Sequence, residues 1–89
     1  MLELEFTNQF KKDLRLSKKR GKDLSKLEKI TNLLLKEKAL PEKNRDHFLS
    51  GNYKDHRECH IEPDWLLIYL KSKTTIILVR IGTHADLFE

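Results

Sequence analysis

Two apolar runs joined by a short turn constrain the fold of this chain more than any other feature. Leu66–Leu70 and Ile76–Val79 are apolar at every position, and the turn KSKT joins the segments that contain them. Continuous apolar runs of this length are typical of strands buried on both faces of a sheet. A turn this short makes an antiparallel hairpin. We therefore predict central strands over 65–71 and 75–81, with a further strand over about 53–61.

The N-terminal segment predicts a strand followed by a helix. MLELEF alternates apolar and acidic residues, and a period of two indicates a half-buried strand. Thr7 or Asn8 can cap a helix that follows. Phe10 and Leu14 are four residues apart, so they share one face of that helix.

A second helix is predicted from about Asp23 to Lys38. Gly21 is a natural stop for the first helix, and Pro41 ends the second. Residues 39–52 read as a loop that is long for so small a domain, and long loops are often functional. The second helix carries an apolar stripe at helical spacing, made of Leu24, Leu27, Ile30, Thr31 and Leu34. The predicted order is β-α-α-β-β-β, an α+β fold with a mainly antiparallel sheet and both helices packed on one face.

The size of the chain limits the kind of site it can hold. Its 89 residues form a single domain, 1–89, with a small core. We therefore expect a shallow groove on the open face of the sheet and no enclosed cavity for a bulky cofactor. Cys59 is the one cysteine, so no internal disulfide and no thiolate cluster can form. No signal peptide or membrane-spanning run is apparent, and we expect a cytoplasmic protein.

Charge is distributed unevenly along the chain. Residues 1–45 hold thirteen Lys or Arg against seven Asp or Glu, whereas residues 46–89 hold five against seven. A basic half favours a polyanion or an acidic protein as partner. Lysine-rich solvated helix faces are also common without any partner, and the composition alone leaves both interpretations open.

The four histidines all lie in the second half of the chain. His56 and His60 have the i, i+4 spacing of a helical zinc pair. In the predicted strand, however, these residues stand about 13 Å apart at ~3.3 Å per residue, too far for one ion. We therefore expect no metal site, although histidines from different elements could still form one.

The segment around Pro63 places ionisable groups beside the predicted central strand. Pro63 interrupts strand pairing, so Asp64 sits at the start of strand 65–71. Adjacent antiparallel strands bring the start of one beside the end of the other, which predicts that Asp64 lies near Arg80 and His84, with His60 beside them. A base, an acid and a cation suffice to cleave RNA through its 2′-hydroxyl. The alternative is a purely structural Asp64–Arg80 ion pair.

Other conspicuous side chains carry weaker signals. His56 shares no local motif with the other histidines and is expected to be an exposed strand residue. Trp65 and Tyr69 are expected in the core. Phe88 lies in a polar tail, where it could anchor the C terminus or stack on a base.

Three segments together resemble the YafQ branch of the RelE/ParE superfamily of bacterial toxins. They are NRDHFLSG, RECHIEPDWLLIY and RIGTHADLF, and the resemblance extends over essentially the whole chain. It implies the RelE-like β-α-α-β-β-β fold. The function implied is that of the toxin of a type II toxin–antitoxin module, a ribosome-dependent endonuclease that cuts mRNA in the A site.

The resemblance also implies partners. A DinJ/RelB-like antitoxin would neutralise the toxin, and operator DNA would be bound only through that antitoxin. Ribosomal RNA would contact the basic helices, where phosphate binding is electrostatic. No cofactor, metal or membrane is implied.

The family's catalytic positions fall on residues of the expected types: His47, His60, Asp64, Arg80, His84 and Phe88. We expect metal-free catalysis with His84 as general acid and Asp64 or His47 as general base. His60 would position substrate or tune its neighbours, Arg80 would stabilise the phosphorane and Phe88 would help order the mRNA base. The main alternative is a catalytically inactive RelE/ParE-fold module that acts by binding proteins.

Overall fold

The computed structural model describes residues 1–88, and Glu89 lies outside the described residues. A five-stranded sheet in the order β1-β5-β4-β3-β2 forms the centre of the molecule. β1 runs parallel to β5, and the other neighbours are antiparallel. The strands are β1 Glu3–Phe6, β2 His47–Phe48, β3 Arg57–Glu62, β4 Trp65–Lys71 and β5 Thr75–Gly82. The predicted α+β class and mainly antiparallel sheet are confirmed.

Both predicted helices are present, and their N-caps are the residues that the sequence offers. α1 spans Asn8–Lys19, and the side chain of Thr7 accepts a hydrogen bond from the backbone N–H of Phe10 at 2.9 Å. α2 spans Leu24–Leu35 and is capped by Asp23. Each cap satisfies a backbone donor that the first helical turn leaves free.

The predicted end of α2 at Lys38 is wrong by three residues. Glu37 takes a left-handed conformation, with φ of 56°. The backbone N–H groups of Glu37 and Lys38 then donate to the carbonyls of Leu34 and Leu33. This pair of bonds is a Schellman ending, which closes the helix before Pro41 can act.

The central hairpin is buried on both faces, as its apolar runs predict. Towards α1 and α2, the sheet contributes Trp65, Leu67, Tyr69, Ile76, Leu78 and Ile81 to the main core. On the opposite face, Leu66 and Ile68 are covered by Leu87 and flanked by Leu49, Tyr53 and Val79. This second layer closes only part of that face and leaves the rest for polar side chains.

Two short elements were not predicted. β2 lies within the predicted 39–52 loop and pairs antiparallel with β3, so that His47 faces Glu58. The tail forms a five-residue helix, α3 His84–Phe88, although it is too short to show periodicity. The strand predicted from 53 begins only at Arg57, because Gly51–Tyr53 forms a 3₁₀ turn.

The end of β5 is shaped by a bulge and by close packing. Ile68 pairs with Arg80 and Tyr69 with Leu78, which leaves Val79 as the extra residue. The backbone of Gly82 is not left-handed; a Cβ there would lie 2.9 Å from Cβ of Asp86. Gly82 is therefore needed for space, not for a turn. None of the helices within residues 1–88 is long and apolar enough to cross a membrane.

Candidate active site

Three imidazoles lie in a row on the face of the sheet opposite α1 and α2. The ring centroids of His47 and His60 are 6.4 Å apart, and those of His60 and His84 are 5.7 Å apart. Strand pairing explains the row. His60 of β3 pairs with Leu66 of β4, and Leu66 in turn pairs with Gly82 of β5. His84 follows two residues later, at the start of α3.

Asp64 completes the row at the His84 end. Its Oδ1 accepts hydrogen bonds from the backbone N–H of His84 at 2.8 Å and from His84 Nδ1 at 2.6 Å. The backbone N–H of His84, followed by its imidazole, lowers the pKa of Asp64. The side chains of Asp64 and His84 are 64% and 53% exposed, so a polymer can reach them. Because Nδ1 is bound to the carboxylate, Nε2 of His84 is the nitrogen left to face a ligand.

Glu58 links the other two histidines and was not anticipated as a site residue. Its Oε1 lies 3.3 Å from Nε2 of His60 and 3.5 Å from Nε2 of His47. Glu58 is only 4% exposed, which is unusual for a carboxylate. The alternation of RECHIE places Glu58 and His60 on one face of β3, and that signal was available in the sequence. The pairing with β2 that adds His47 was not.

The predicted proximity of Arg80 to Asp64 is wrong. Arg80 donates from Nε and Nη2 to Asp13 of α1, at 2.8 and 3.0 Å. Asp13 also accepts the backbone N–H of Ile81 at 3.2 Å and raises the pKa of Arg80. β5 continues two residues beyond Arg80, so it is His84, not Arg80, that reaches Asp64. Arg80 pairs with Ile68, and Ile68 lies about 13 Å from Asp64 along the chain at ~3.3 Å per residue.

Phe88 is exposed on α3, whereas Cys59 lies in the core. Phe88 is 45% exposed, four residues after His84 on α3, and its ring meets the edge of Tyr53 with centroids 6.0 Å apart. The C-terminal anchor is instead the buried Leu87. Cys59 is fully buried, and burial raises the pKa of its thiol.

His56 does not lie where the sequence predicts it, whereas the aromatic residues predicted for the core are found there. His56 precedes β3 and packs against Tyr53 with ring centroids 5.6 Å apart, away from the row of histidines. It is therefore not the exposed strand residue that was expected. Trp65 and Tyr69 are each 1% exposed, which confirms their place in the core.

A groove of about 920 Å³ ends at His60, Asp64 and His84. It runs between α2 and the end of β3, and basic side chains lie along it at Lys26, Lys29, Lys43 and Arg45. Asn44 forms part of its wall and donates from Nδ2 to the carbonyl of His60 at 2.7 Å. Within residues 1–88, no group of three or more His, Cys, Asp or Glu side chains is arranged to hold a metal ion.

Comparison with known proteins gives consistent matches over the whole chain. A family model described as bacterial toxin of type II toxin-antitoxin system, YafQ, matches residues 2–89. The chain is 41% identical over 87 residues to the mRNA interferase toxin YafQ of Escherichia coli strain K12, covering 97% of this chain and 95% of that protein.

Solved structures are similar at the same level. The crystal structure of the E. coli DinJ-YafQ toxin-antitoxin complex matches with a TM-score of 0.92 and 40% identity, covering 99% of this chain and 98% of that chain. A metal-bound toxin from Helicobacter pylori matches with a TM-score of 0.93 and 46% identity, covering 99% of this chain and all of that chain.

Proposed function

The chain belongs to the YafQ family of bacterial toxins of type II toxin–antitoxin systems, and on that premise we propose that it is an endoribonuclease that cuts mRNA on translating ribosomes. The observation that carries the proposal is the row of His47, His60 and His84, exposed at its two ends, with Asp64 bound to the last. Such a row supplies proton acceptors and donors on both sides of one phosphodiester.

RNA and these side chains supply every atom that the proposed reaction needs. The 2′-hydroxyl gives its proton to His47 and attacks phosphorus, forming the 2′-O–P bond. The P–O5′ bond breaks, and the leaving 5′-oxygen takes a proton from Nε2 of His84. The products are a 2′,3′-cyclic phosphate and a 5′-hydroxyl.

The contacts of Asp64 favour an orienting role over a basic one. A carboxylate whose pKa is lowered is a weak base, and its Oδ1 is already occupied by two donors from His84. We therefore assign Asp64 to holding His84 with Nε2 towards the leaving group, as carboxylates do for catalytic imidazoles. His47 is then the better candidate for the base.

Three further residues have supporting roles in the proposal. His60 lies between the acid and the base and would bind the phosphate oxygens. Arg80 is held by Asp13 away from Asp64, so its charge would favour the phosphorane at longer range and without direct contact. Phe88 shares a face of α3 with His84 and would stack on an mRNA base.

The partners follow from charge and from the relatives. The basic groove would follow the phosphates of mRNA, and the basic helices would contact ribosomal RNA. The E. coli relative forms a DinJ-YafQ toxin-antitoxin complex, and we propose a DinJ/RelB-like antitoxin for this chain, with operator DNA bound only through it. The site of action is the cytoplasm, where mRNA is translated.

Mapping of mRNA 5′ ends in a reconstituted translation reaction tests the proposal. Wild-type protein should cut translated mRNA and leave the same mRNA intact without ribosomes. His84→Ala should slow cleavage at least about a hundredfold, because a general acid contributes ~10²–10⁴-fold. His56→Ala removes an imidazole away from the row and should cut at the wild-type rate.

Two results would contradict the proposal at different levels. A His84→Ala variant as fast as wild type would exclude His84 as the acid. A folded wild-type protein that cuts no mRNA would favour the inactive binding module.

Metal-free catalysis needs a test of its own, because a relative from H. pylori is metal-bound. Chelators disrupt ribosomes, so the toxin should be treated with chelator and desalted before it is added. Unchanged cleavage, with no metal detected in the protein by elemental analysis, is the expected result. Activity that returns only when a transition metal is added back would exclude a metal-free mechanism.

A further inference from the structure

A hydrogen-bonded network lies beside the proposed active site but outside the row of histidines. Tyr69 donates from its hydroxyl to Oδ1 of Asp46 at 2.6 Å. Arg57 donates from Nε to the same Oδ1 at 3.2 Å and to the Tyr69 hydroxyl oxygen at 3.3 Å. Tyr69 is 1% exposed, whereas Asp46 and Arg57 side chains are about one quarter exposed. The network therefore joins the buried core to the edge of the sheet.

The network holds the residues on both sides of His47. Asp46 precedes His47, and Phe48 follows it and pairs with Arg57. The guanidinium carbon of Arg57 lies 4.3 Å from the centroid of the Phe48 ring. Side chains alternate along a strand, so anchoring Asp46 and Phe48 on the α2 side directs His47 to the opposite face. That face carries Glu58 and His60.

Apart from the contacts of the His47 ring with the carbonyl of Arg45 and with Glu58, backbone pairing is what holds β2 in register. β2 comprises only His47 and Phe48, and one further backbone bond, from the N–H of Leu49 to the carbonyl of His56 at 2.9 Å, extends the pairing. Edge strands this short are weakly held by their ladder alone. A hydroxyl bonded to an ionised carboxylate is a strong contact by comparison. Burial and the bond to Asp46 raise the pKa of Tyr69, so the hydroxyl remains a donor at neutral pH.

We propose that Asp46, Tyr69 and Arg57 are positioning residues that set the location of His47 for its part in RNA cleavage. They do not touch the substrate. They fix β2 from the side of the sheet that faces α2, and His47 is thereby held beside His60. This inference rests on the proposed function of His47.

Tyr69→Phe is the sharpest test, because it removes one oxygen atom and keeps the buried ring. Displacement of a catalytic group by about 1 Å can cost ~10²-fold in rate, and we expect cleavage to slow by about ten- to a hundredfold. Thr31→Val is the matched control. It also removes one buried hydroxyl, which donates to Leu27 in α2, and it should cleave at the wild-type rate.

A double-mutant cycle with His47→Ala separates positioning from general damage. If the network acts through His47, Tyr69→Phe should cause no further loss in the His47→Ala background. If the two losses of cleavage rate multiply in the double variant, or if Tyr69→Phe alone is as fast as wild type, the inference is overturned. A fast His47→Ala variant would instead overturn the proposed role of His47.

Hydrogen exchange supplies a readout that does not depend on activity. The Leu49 amide reports the docking of β2, and its protection should fall in Tyr69→Phe while that of β4 amides stays unchanged. Unchanged Leu49 protection would contradict the inference. Should Tyr69→Phe not fold, Asp46→Asn keeps the side-chain shape, removes the charge that Arg57 meets, and should give the same pattern in the cycle and in exchange.

Discussion

Gly82→Ala should slow cleavage more than its loss of stability explains, because the space beside Gly82 sets the position of α3. An added Cβ would lie 2.9 Å from both Cβ and Oδ2 of Asp86. Ordinary contact begins near 3.4 Å, so α3 must move by roughly half an ångström. Oδ2 of Asp86 also receives Arg20 at 2.6 Å and the N–H of Thr83 at 3.0 Å, so these bonds move with it.

The expected loss of rate follows from the position of His84 in the first turn of α3. A misplacement of ~1 Å can cost ~10²-fold, so half that displacement should cost about tenfold. Overpacking costs ~1–3 kcal/mol, and a stiffer unfolded chain returns ~0.4–1 kcal/mol. A net loss of about 1 kcal/mol would lower Tm by ~4–8 °C in a domain of this size.

Gly21→Ala is the control for this experiment. Gly21 has φ of +77°, and a Cβ there would meet nothing within 4 Å. A left-handed alanine costs ~1–2 kcal/mol, so the Tm should fall by a similar amount while α3 stays in place. Cleavage in the translation reaction is then compared at a temperature where both variants are folded. Equal rates for Gly82→Ala and Gly21→Ala would refute the argument that α3 positions His84 through this contact.

Two further predictions concern ion pairs that hold the helices to the sheet. The Asp13 carboxylate is 8% exposed and accepts two charge-assisted bonds from Arg80, which Asp13→Asn weakens. The free energy of unfolding measured in urea should fall by about 2 kcal/mol. A loss near zero would show that this ion pair does not stabilise the fold. Arg20 lowers the pKa of Asp86 to about 2. A depressed carboxyl pKa stabilises the fold above the unfolded value, near 3.8, and that stabilisation is lost as pH falls towards 2. Wild type and Asp86→Asn should therefore differ in urea stability at pH 5 and converge at about pH 2; a constant difference would contradict this linkage.

The parts of the fold that the sequence predicted correctly are those with a repeated signal. The apolar runs of β4 and β5 and the stripe of α2 each commit several residues to one periodicity. β2 has two residues and α3 has five, too few for a period to show. Both are held by tertiary contacts, such as the packing of Leu87 on Leu66 and Ile68.

The sequence predicts the part of the candidate site that depends on the turn at Pro63. It does not predict the part that depends on which residues of β4 and β5 pair with each other. Pro63 ends β3 and places Asp64 near the end of β5, as expected. The bulge at Val79 and the extension of β5 to Gly82 then decide that Asp64 meets His84. Arg80 takes Asp13, which is 67 residues away in the sequence, and no local pattern announces such a pair.

The placement of Glu58 shows why the site lies on this face of the sheet. A chain of this size has enough apolar side chains to cover one face fully with helices and the other only in part. Burying a carboxylate is costly unless it has polar partners, and the nearest imidazole nitrogens to Glu58 among the described residues are those of His60 at 3.3 Å and His47 at 3.5 Å. A leucine at this position would pack against the neighbouring apolar layer at no such cost. Glu58 is therefore a buried polar exception beside two of the three histidines, and such local exceptions to core patterning are expected at sites kept for chemistry.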